Sequence, residues 1–526
     1  MLTLSDAVYL EAARLKMLKW LSKQRNSEQR NRLGQFATPP SLADAMVRHS
    51  LEYLGNEPIR FLDPAFGTGP FYSSLLQHVP QSRITYAWGF EKDDLYEHAA
   101  SDLWRSTNLH LRQRDFTLQV PPVNTQEKPN LLICNPPYVR HHHLDNTEKA
   151  RLGKLVKDIT GLRISGYSGL YCYFMLIADM WMAPEGTACW LVPSEFMEVN
   201  YGQQIRSYLL NNVDLIRIHR FDTQDTQFDD ALVSSAVLWF CKRQPSKSGR
   251  ILVTYGGSLL HPNHATYLDR DSLLNAAKWN KQVLSGQTDS SPGQHTSGPT
   301  FSDLFLIKRG LATGNNEFFI MTRQEAASRG LPPEFLKPIL PSPRFLRQDI
   351  VESDDDGEPL LPGKLVLLDC NLPIDEVQRD YPSLWRYLQW GTEQGVNSTY
   401  LCRQREPWYS QEKRAPSRIL CTYMGRNLSN GRGPFRFILN YSNALATNVY
   451  LHLYPTPTLV DFLAEDRGKW EALWKTLSLI EMALMTREGR VYGGGLHKVE
   501  PRELSRVPAS VLINEFPELT KWLPGL

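Results

Sequence analysis

The stretch Phe61-Leu-Asp-Pro-Ala-Phe-Gly67-Thr-Gly69-Pro-Phe71 decides the fold class of this 526-residue chain. An apolar, strand-like run enters a turn with two glycines, and a helix is predicted to begin directly after it. Glycine gives the turn backbone conformations that are closed to other residues, and a helix N-terminus offers unpaired N–H donors. The pattern therefore predicts a turn at which a ligand approaches the backbone.

Glu91 ends the next strand-like run, 24 residues after Gly67. An acidic side chain at this place suits the ribose hydroxyls of an adenosine-containing cofactor. The turn lacks the third glycine of the dinucleotide fingerprint, which disfavours NAD, and the Gly-Lys-Ser/Thr of a P-loop, which excludes ATP. These residues alone leave NAD and S-adenosylmethionine (SAM) open, beside a purely structural turn.

Strand-like runs alternate with helical stretches around this turn, which predicts a doubly wound, Rossmann-like α/β sheet. The strand-like runs are Ile59–Leu62, Ile84–Phe90, Leu131–Cys134, Thr187–Val192, Leu215–Phe221 and Val233–Phe240, and the helical stretches include Leu42–Tyr53, Phe71–His78 and Leu170–Met182. Residues 1–30 are predicted to form a basic amphipathic helix whose apolar face holds Leu4, Val8, Ala12, Leu15 and Leu18.

A second motif, Asn135-Pro136-Pro137-Tyr138, follows the strand-like run that ends at Cys134. Two prolines stop the strand and keep the backbone extended. The Asn135 side-chain oxygen and the Pro136 carbonyl can then accept hydrogen bonds from one planar amino group and free its lone pair for attack. Tyr138 adds an aromatic face on which a base can stack. The alternative is a plain proline turn after a strand.

The two motifs together resemble the SAM-dependent amino-methyltransferases, and N-P-P-Y is typical of those that methylate adenine N6. The segment Leu33–Pro40 is similar to the N-terminal SAM-binding segment of that family, and its position before the glycine turn is the gamma order of TaqI-like DNA adenine methyltransferases. In one respect the chain departs from the family, because Cys134 stands where a small Gly or Ala often precedes the asparagine.

The resemblance implies a role for each matching position. Glu91 is expected to bind the ribose and Asp115 the adenine amino group of SAM. Phe228 is expected to pack on a flipped target base opposite Tyr138. The cofactor-binding set is Phe36, Thr38, Asp63, Ala65, Gly67, Gly69, Glu91, Asp115 and Asn135, and the catalytic set is Asn135, Pro136, Tyr138 and Phe228.

The resulting prediction is methyl transfer from SAM to adenine N6 in duplex DNA, with base flipping, for restriction-modification or phage defence. A restriction endonuclease or other defence subunit is expected on a separate chain. Two alternatives stay open: an RNA or protein-glutamine methyltransferase with the same loop, and a DNA-binding subunit without catalytic activity.

Residues 401–437 carry most of the argument for DNA, because basic and aromatic side chains interleave there. A salt-bridged surface is the alternative. Ile307–Asn316 and Tyr492–Lys498 look like segments of a TaqI-like specificity domain. The predicted DNA-binding residues are Arg403, Arg405, Lys413, Arg414, Arg418, Arg426, Arg432 and Arg436.

Composition sets the remaining limits. Lys plus Arg total 58 against 56 for Asp plus Glu, so any basic surface must be local. Seven scattered cysteines, none in C-x-x-C spacing, argue against a zinc site and a disulfide scaffold, and no metal ligand is assigned, His141–His143 included. No apolar run is long enough for a membrane span, and a cytoplasmic location is expected. The predicted regions are a helical segment 1–32, a catalytic domain 33–250, a connection 251–300 and a DNA-recognition domain 301–526.

Overall fold

A computed structural model describes most of the chain. The described residues are 3–26, 29–30, 33–222, 227, 234–246, 249–276, 278–285, 298–426, 433–480, 485, 490–492 and 496–522. The chain divides into two compact units, Met1–Gly293 with Tyr492–Gly494, and Gln294–Val491 with Gly495–Leu526.

The first unit is built on a nine-stranded sheet with the order β3-β2-β1-β4-β5-β7-β6-β8-β9. Strands β1 to β5 pair in parallel, whereas β7 is antiparallel to both β5 and β6. The doubly wound α/β class predicted from the sequence is confirmed. The strands are β1 (Ile59–Asp63), β2 (Ile84–Glu91), β3 (Leu109–Gln113), β4 (Leu131–Cys134), β5 (Thr187–Pro193), β6 (Asp214–Arg220), β7 (Ser235–Cys241), β8 (Arg250–Gly257) and β9 (Pro262–Asp269).

The central strands are apolar throughout because both of their faces are covered, as is usual for parallel sheets. All residues of β4, β5 and β7 are buried. In contrast, β3 lies at the edge of the sheet, and exposed polar residues alternate with half-buried leucines in its sequence. That composition explains why the sequence did not predict β3.

Helices flank this sheet and their bounds agree with the predicted stretches to within a few residues. Helix α1 packs against α3 and α4, α2 packs against α3, and α5 packs against α6. The helices described in this unit are α1 (Leu4–Leu21), α2 (Pro40–Leu54), α3 (Pro70–His78), α4 (Asp94–Trp104), α5 (Asn146–Thr160), α6 (Leu170–Ala178), α7 (Gln203–Asn211), α8 (Arg270–Leu274) and α9 (Lys281–Leu284).

The predicted apolar face of the N-terminal helix is wrong. Leu4 and Val8 are exposed, at 65% and 56%. The helix ends at Leu21 rather than near residue 30, and it turns a different face inward, on which Arg14 is almost completely buried. The prediction from apolar periodicity failed because it treats arginine as a polar, outward-facing residue, whereas Arg14 is buried. The buried residues of α1 are Ala7, Leu10, Arg14 and Leu21.

The boundary predicted at residue 250 also differs from the structure. The predicted connection 251–300 contributes β8 and β9 to the sheet, because β8 pairs in parallel with β6 and antiparallel with β9. Ile251 and Val253 of β8 are buried. The first unit therefore continues to Gly293, and the roles of the four predicted regions stay predictions.

Residues 301–522 contain three further sheets with helices around them, in agreement with the predicted α+β character. The strand orders are β10-β18-β15-β17-β13, β11-β14-β12 and β16-β20-β19. The strands are β10 (Phe305–Arg309), β11 (Ile320–Thr322), β12 (Leu336–Pro338), β13 (Ile350–Val351), β14 (Leu365–Leu368), β15 (Ile419–Thr422), β16 (Met424–Arg426), β17 (Phe437–Asn440), β18 (Tyr450–Pro455), β19 (Arg490–Tyr492) and β20 (Leu496–Lys498).

The helices of this region are mostly short. Helix α16 packs against β17 and α18. The described helices are α10 (Phe301–Leu304), α11 (Asn316–Phe319), α12 (Arg323–Ser328), α13 (Ile374–Asp380), α14 (Pro382–Glu393), α15 (Pro457–Leu463), α16 (Arg467–Ser478), α17 (Pro501–Leu504) and α18 (Ser510–Glu515).

Trp239 of β7 anchors the core of the first unit and provides a test of the fold. Its side chain is fully buried, its indole N–H donates to Ser50 Oγ at 3.2 Å, and the Arg217 guanidinium lies 5.1 Å from the ring centre. We expect Trp239→Ala to lower the free energy of unfolding of this unit by about 3–5 kcal/mol, because it leaves a large cavity. Denaturant unfolding followed by circular dichroism measures the change.

Trp20→Ala is the matched control, since Trp20 is 51% exposed on α1. Its expected effect is within about 0.5 kcal/mol. Equal losses for the two variants would contradict the assignment of Trp239 to the core.

Candidate active site

A cavity of about 1180 Å³ opens at the carboxyl ends of the parallel strands of the first unit. The segments that follow β1, β2, β3 and β4 all contribute to its lining, and residues 33–38 lie alongside them. Ligand sites in open α/β sheets occur at this edge, where the strand order reverses. Seven predicted cofactor residues line the cavity, namely Phe36, Thr38, Ala65, Gly67, Glu91, Asp115 and Asn135.

The two glycines of the turn have different structural roles. Gly67 has a positive φ of 56°, and a Cβ built on it meets nothing within 4 Å, so it leaves space on the cavity side. Gly69 also has a positive φ, but its Cβ would lie 2.5 Å from Phe66 Cζ. Gly69 therefore permits close packing behind the turn and does not itself line the cavity.

Asp63 lies beneath the turn and is completely buried. Burial raises the pKa of its carboxyl group to about 8, against the lowering effect of the N–H that Ala65 donates to Oδ1 at 3.1 Å. Asp63 is not among the described residues that line the cavity. Its visible role is to hold the turn from below, and the direct cofactor contact expected of it stays a prediction.

Glu91 and Asp115 present two carboxylates to the cavity. Glu91 accepts hydrogen bonds from Gly67 N at 2.9 Å and from Asp93 N at 2.8 Å, while burial raises its pKa. Burial acts in the same direction on Asp115, but hydrogen bonds from Thr117 and from Lys92 Nζ, the latter at 3.0 Å, outweigh it and lower the pKa. Both groups are therefore fixed in position by neighbouring donors.

The side-chain amide of Asn135 is held in one orientation. Nδ2 donates to the Phe36 carbonyl oxygen at 2.9 Å and to Thr38 Oγ1 at 3.1 Å. Oδ1 is buried and accepts no hydrogen bond from any described residue. A buried, unpaired carbonyl oxygen is costly, so its presence indicates a group that another molecule satisfies. The amide is poised to accept a hydrogen bond at the edge of the cavity.

The other predicted catalytic residues are less accessible. Tyr138 is buried, its hydroxyl donates to the Leu191 carbonyl at 3.1 Å, and its ring packs 5.5 Å from that of Phe36. Neither Tyr138 nor Pro136 belongs to the described lining of the cavity. Phe228 lies outside the described residues. The stacking roles of Tyr138 and Phe228 stay predictions.

An N-terminal segment that sequence reasoning largely missed closes one side of the site. Arg25 donates to Asp93 Oδ2 and to Gln35 Oε1, and Asp93 caps the N-terminus of α4 through hydrogen bonds to two backbone N–H groups. Arg14 donates to Thr68 Oγ1 at 3.0 Å. The sequence of residues 11–32 carries no family motif, so only long-range contacts could reveal the links made by Arg14 and Arg25.

The basic and aromatic residues of 401–437 do not form one exposed surface, and this part of the sequence argument is wrong. Tyr409, Tyr423, Phe435 and Phe437 are buried in hydrophobic clusters. They are neighbours of basic residues in the sequence only, because their rings pack inward while Arg403, Lys413 and Arg426 are exposed.

Four of the predicted DNA-binding arginines are used within the protein. Arg436 donates to Asp349 Oδ1 and to carbonyl groups of residues 343–348, and Arg405 donates to the Thr313 carbonyl at 2.7 Å. Arg414 pairs with Glu412 and Arg418 with Glu465. Arg403, Lys413 and Arg426 are exposed, whereas Arg432 lies outside the described residues.

Comparison with known proteins gives matches along both parts of the chain. The Eco57I restriction-modification methylase model matches residues 72–228, and the model for the C-terminal domain of Type II methyltransferase M.Eco57I matches residues 276–522. Type II methyltransferase M.AccI of Acinetobacter calcoaceticus is 26% identical over 505 residues, which is 92% of this chain and 86% of that protein. M.XamI of Xanthomonas campestris pv. amaranthicola is 26% identical over 498 residues, with the same coverage.

The fold has a solved counterpart. The Type IIL restriction-modification enzyme MmeI, solved in complex with DNA, superposes with a TM-score of 0.54 over 94% of this chain and 76% of that chain, at 12% identity. The nine-stranded sheet, with a cavity at the carboxyl ends of its parallel strands, is a doubly wound, Rossmann-like α/β fold. Together the two models and the Type II methyltransferase relatives support a SAM-dependent DNA methyltransferase of a restriction-modification system. Within the described chain, no helix is both long enough and apolar enough to span a bilayer.

SAM is accordingly the cofactor, and two features of the cavity fit it. The open space at Gly67 admits a ligand against the backbone, and the acidic pair Glu91 and Asp115 offers acceptors for hydroxyl and amino groups. When bound, SAM supplies an electrophilic methyl group on a sulfonium. Glu91, Gly67 and Thr38 are the residues that would hold it beside Asn135.

Substitution of Gly34 tests how closely the N-terminal segment must approach the reaction loop, Asn135–Tyr138. It has a φ of 68°, its carbonyl accepts from Tyr138 N, and a Cβ on it would lie 2.5 Å from that nitrogen. We expect Gly34→Ala to displace the loop and reduce methyl transfer to DNA by about 10-fold or more, because small misplacements at a reacting centre are costly. Initial rates with labelled SAM measure the effect.

Gly55→Ala is the matched control. Gly55 has the same φ of 68° at the end of α2, but nothing lies within 4 Å of its Cβ position. The control carries the same backbone strain without the steric conflict. If both variants lost activity equally, contact with the reaction loop would not be the cause.

Proposed function

We propose that the chain methylates the N6 amino group of adenine in duplex DNA, at a specific site, within a restriction-modification or phage-defence system. The order of its motifs is that of the gamma-class amino-methyltransferases. The supporting relatives and one family model are named Type II methyltransferases, and the other model is named a restriction-modification methylase. The target base and the flipping step are the parts that need experimental proof.

The unpaired Asn135 Oδ1 is the observation that carries this proposal. An amide oxygen accepts hydrogen bonds and cannot donate them. Because Nδ2 donates to the Phe36 carbonyl oxygen, which can only accept, the amide cannot turn over without losing that hydrogen bond. The position therefore favours a substrate that brings an N–H donor, such as an exocyclic amine.

The proposed chemistry is direct displacement. Asn135 Oδ1 and the Pro136 carbonyl oxygen accept hydrogen bonds from the two N–H groups of adenine N6. The nitrogen lone pair is then free to attack the methyl carbon. The new N–C bond forms as the carbon–sulfur bond breaks, and the surplus proton passes to solvent. Positioning and electrostatic complementarity account for most of the rate in such a scheme.

Base flipping follows from the depth of the site. A paired adenine cannot bring N6 to a buried acceptor, so the nucleotide must leave the stack at a cost of a few kcal/mol. We propose that stacking on Tyr138 and Phe228 offsets this cost. The Tyr138 ring packs against Phe36, so stacking requires that the ring become accessible when the base enters.

Asn135→Ala is the decisive variant. It removes the proposed acceptor, and we expect methyl transfer to duplex DNA to fall by at least about 100-fold, the scale seen when one preorganised hydrogen bond at a reacting group is lost. SAM affinity, measured by calorimetry without DNA, is expected to change far less. Mass spectrometry of digested nucleosides identifies the methylated base.

Asn212→Ala serves as the control, because Asn212 is exposed at the end of α7. Formation of N4-methylcytosine by the wild type would contradict the adenine assignment. Labelling of RNA or protein in preference to DNA would favour the alternative substrates, and absence of SAM binding would favour a non-catalytic subunit.

For DNA binding we propose that Arg403 and Lys413 contact phosphates. Both are exposed and neither forms an ion pair with a described residue. We expect each Ala variant to weaken binding to all sequences and to reduce the slope of log affinity against log salt by about 0.9. Fluorescence anisotropy over a range of salt concentrations measures both quantities.

Arg436→Ala separates this effect from a structural one. Because Arg436 holds residues 343–349 through its hydrogen bonds, its loss is expected to lower the thermal midpoint. Arg403→Ala and Lys413→Ala should leave the midpoint unchanged. An unchanged salt slope in those two variants would remove them from the interface.

A further inference from the structure

An exposed phenylalanine flanked by arginines lies between β12 and β13, on a segment that we call the 341–349 loop. Its sequence is Pro341-Ser-Pro-Arg-Phe-Leu-Arg-Gln-Asp349. Phe345 is 71% exposed, and it is the only exposed residue among the described phenylalanines. A single exposed apolar side chain is common on protein surfaces, so evidence for a function must come from its surroundings.

The backbone on both sides of Phe345 is held by one guanidinium group. Arg436, which directly precedes β17, donates to the carbonyl oxygens of Leu346 at 2.9 Å, Gln348 at 3.3 Å and Pro343 at 3.4 Å. Its Nε also donates to Asp349 Oδ1 at 2.8 Å. A single side chain therefore fixes the loop at four places.

Further contacts hold the loop within the second unit. The Tyr450 hydroxyl donates to the Pro341 carbonyl oxygen at 2.6 Å, and Phe345 N donates to the Ser342 carbonyl oxygen at 2.9 Å. Leu346, the next residue, is 1% exposed and belongs to a hydrophobic cluster. The loop thus buries Leu346 and displays Phe345 on an ordered backbone, and an ordered loop loses little conformational entropy when it binds a partner.

Positive charge stands on both sides of the exposed ring. Arg344 and Arg347 are exposed, and neither forms an ion pair or a hydrogen bond with a described residue. The guanidinium carbon of Arg344 lies 5.7 Å from the centre of the Phe345 ring. The acidic side chain of the loop, Asp349, is paired with Arg436. The loop therefore presents an apolar ring between two cations that the described protein leaves without a counter-ion.

This combination matches the chemistry of duplex DNA. Phosphates bind arginine without regard to sequence, and the apolar faces of the bases lie between the two rows of phosphates. Proteins that bend DNA insert phenylalanine between neighbouring base pairs in this way. An acidic protein surface would satisfy the arginines, but it would also need an apolar pocket for the ring.

We propose that the 341–349 loop contacts duplex DNA, with Arg344 and Arg347 on phosphates and Phe345 inserted against base pairs as an apolar wedge. Arg436 is the positioning residue, because it holds the backbone from which all three side chains project. The inference rests on duplex DNA as the substrate under the proposed function and is independent of which base is methylated.

The test is fluorescence anisotropy of the full chain with a labelled, mixed-sequence DNA duplex over a range of salt concentrations. Arg344→Ala and Arg347→Ala are each expected to reduce the slope of log affinity against log salt by about 0.9. Phe345→Ala is expected to lower the affinity by about 5-fold or more at every salt concentration without changing the slope, because it removes a base contact and no charge. Phe345→Trp should retain most of the affinity.

Leu479→Ala and Lys475→Ala are the matched controls. Leu479 is 78% exposed after α16, and Lys475 is exposed within that helix. Both controls should bind DNA like the wild type, and all variants of exposed loop residues should keep the wild-type thermal midpoint. Equal losses in the loop variants and the controls would overturn the assignment to this loop, as would a loss for Phe345→Trp as large as that for Phe345→Ala.

Methyl transfer measured in parallel separates this inference from the proposed function. If the wild type methylates adenine and the loop variants bind DNA as it does, the loop assignment alone is wrong, and a protein partner becomes the better explanation of the exposed ring. If the binding changes occur as expected but another base is methylated, the adenine assignment alone is wrong. A wild type that does not bind duplex DNA would overturn both.

Discussion

The site depends on the position of β1 between β2 and β4. Parallel pairing places Asp63 opposite Gly89 on one side and Leu62 opposite Leu132 on the other. Three loops consequently leave the sheet at the same edge, with the glycine turn in the middle. The hydrogen bond from Gly67 N–H to Glu91 fixes the turn after β1 to the end of β2. No single loop has the geometry to hold a cofactor and a target amine together. The register of the strands supplies that geometry, because it brings the three loops to one edge of the sheet.

The sequence predicted what is local and missed what is long-range. The glycine turn and the N-P-P-Y loop follow β1 and β4 as expected, because each lies within a few residues of a strongly apolar strand. Arg14 was missed because its partner Thr68 is 54 residues away and its helix has little amphipathic character to read. The sequence analysis treated Arg14 as a solvent-exposed charge, although it is buried. It therefore assigned the wrong face of α1 to the protein interior.

In the second half of the chain the sequence analysis made the opposite error. It assigned to a DNA-binding surface arginines that are bonded within the protein. Arg405 and Arg436 are as basic as Arg403, yet their guanidinium groups hold backbone carbonyls inside the fold. Sequence counts a guanidinium the same way whether its donors face a carbonyl group or a phosphate. Aromatic residues led to the same error, because Tyr423 and Phe437 are buried in a hydrophobic core although basic residues stand between them in the sequence.

The N-terminal segment connects the cofactor turn with the reaction loop. Arg14 holds Thr68 of the turn, and a few residues farther along, Phe36 and Thr38 hold the amide of Asn135. The same N-terminal segment therefore fixes the glycine turn at one point and the side chain of Asn135 at another. A displacement of this segment would disturb both loops together, so its packing couples two parts of the cavity that lie far apart in the sequence.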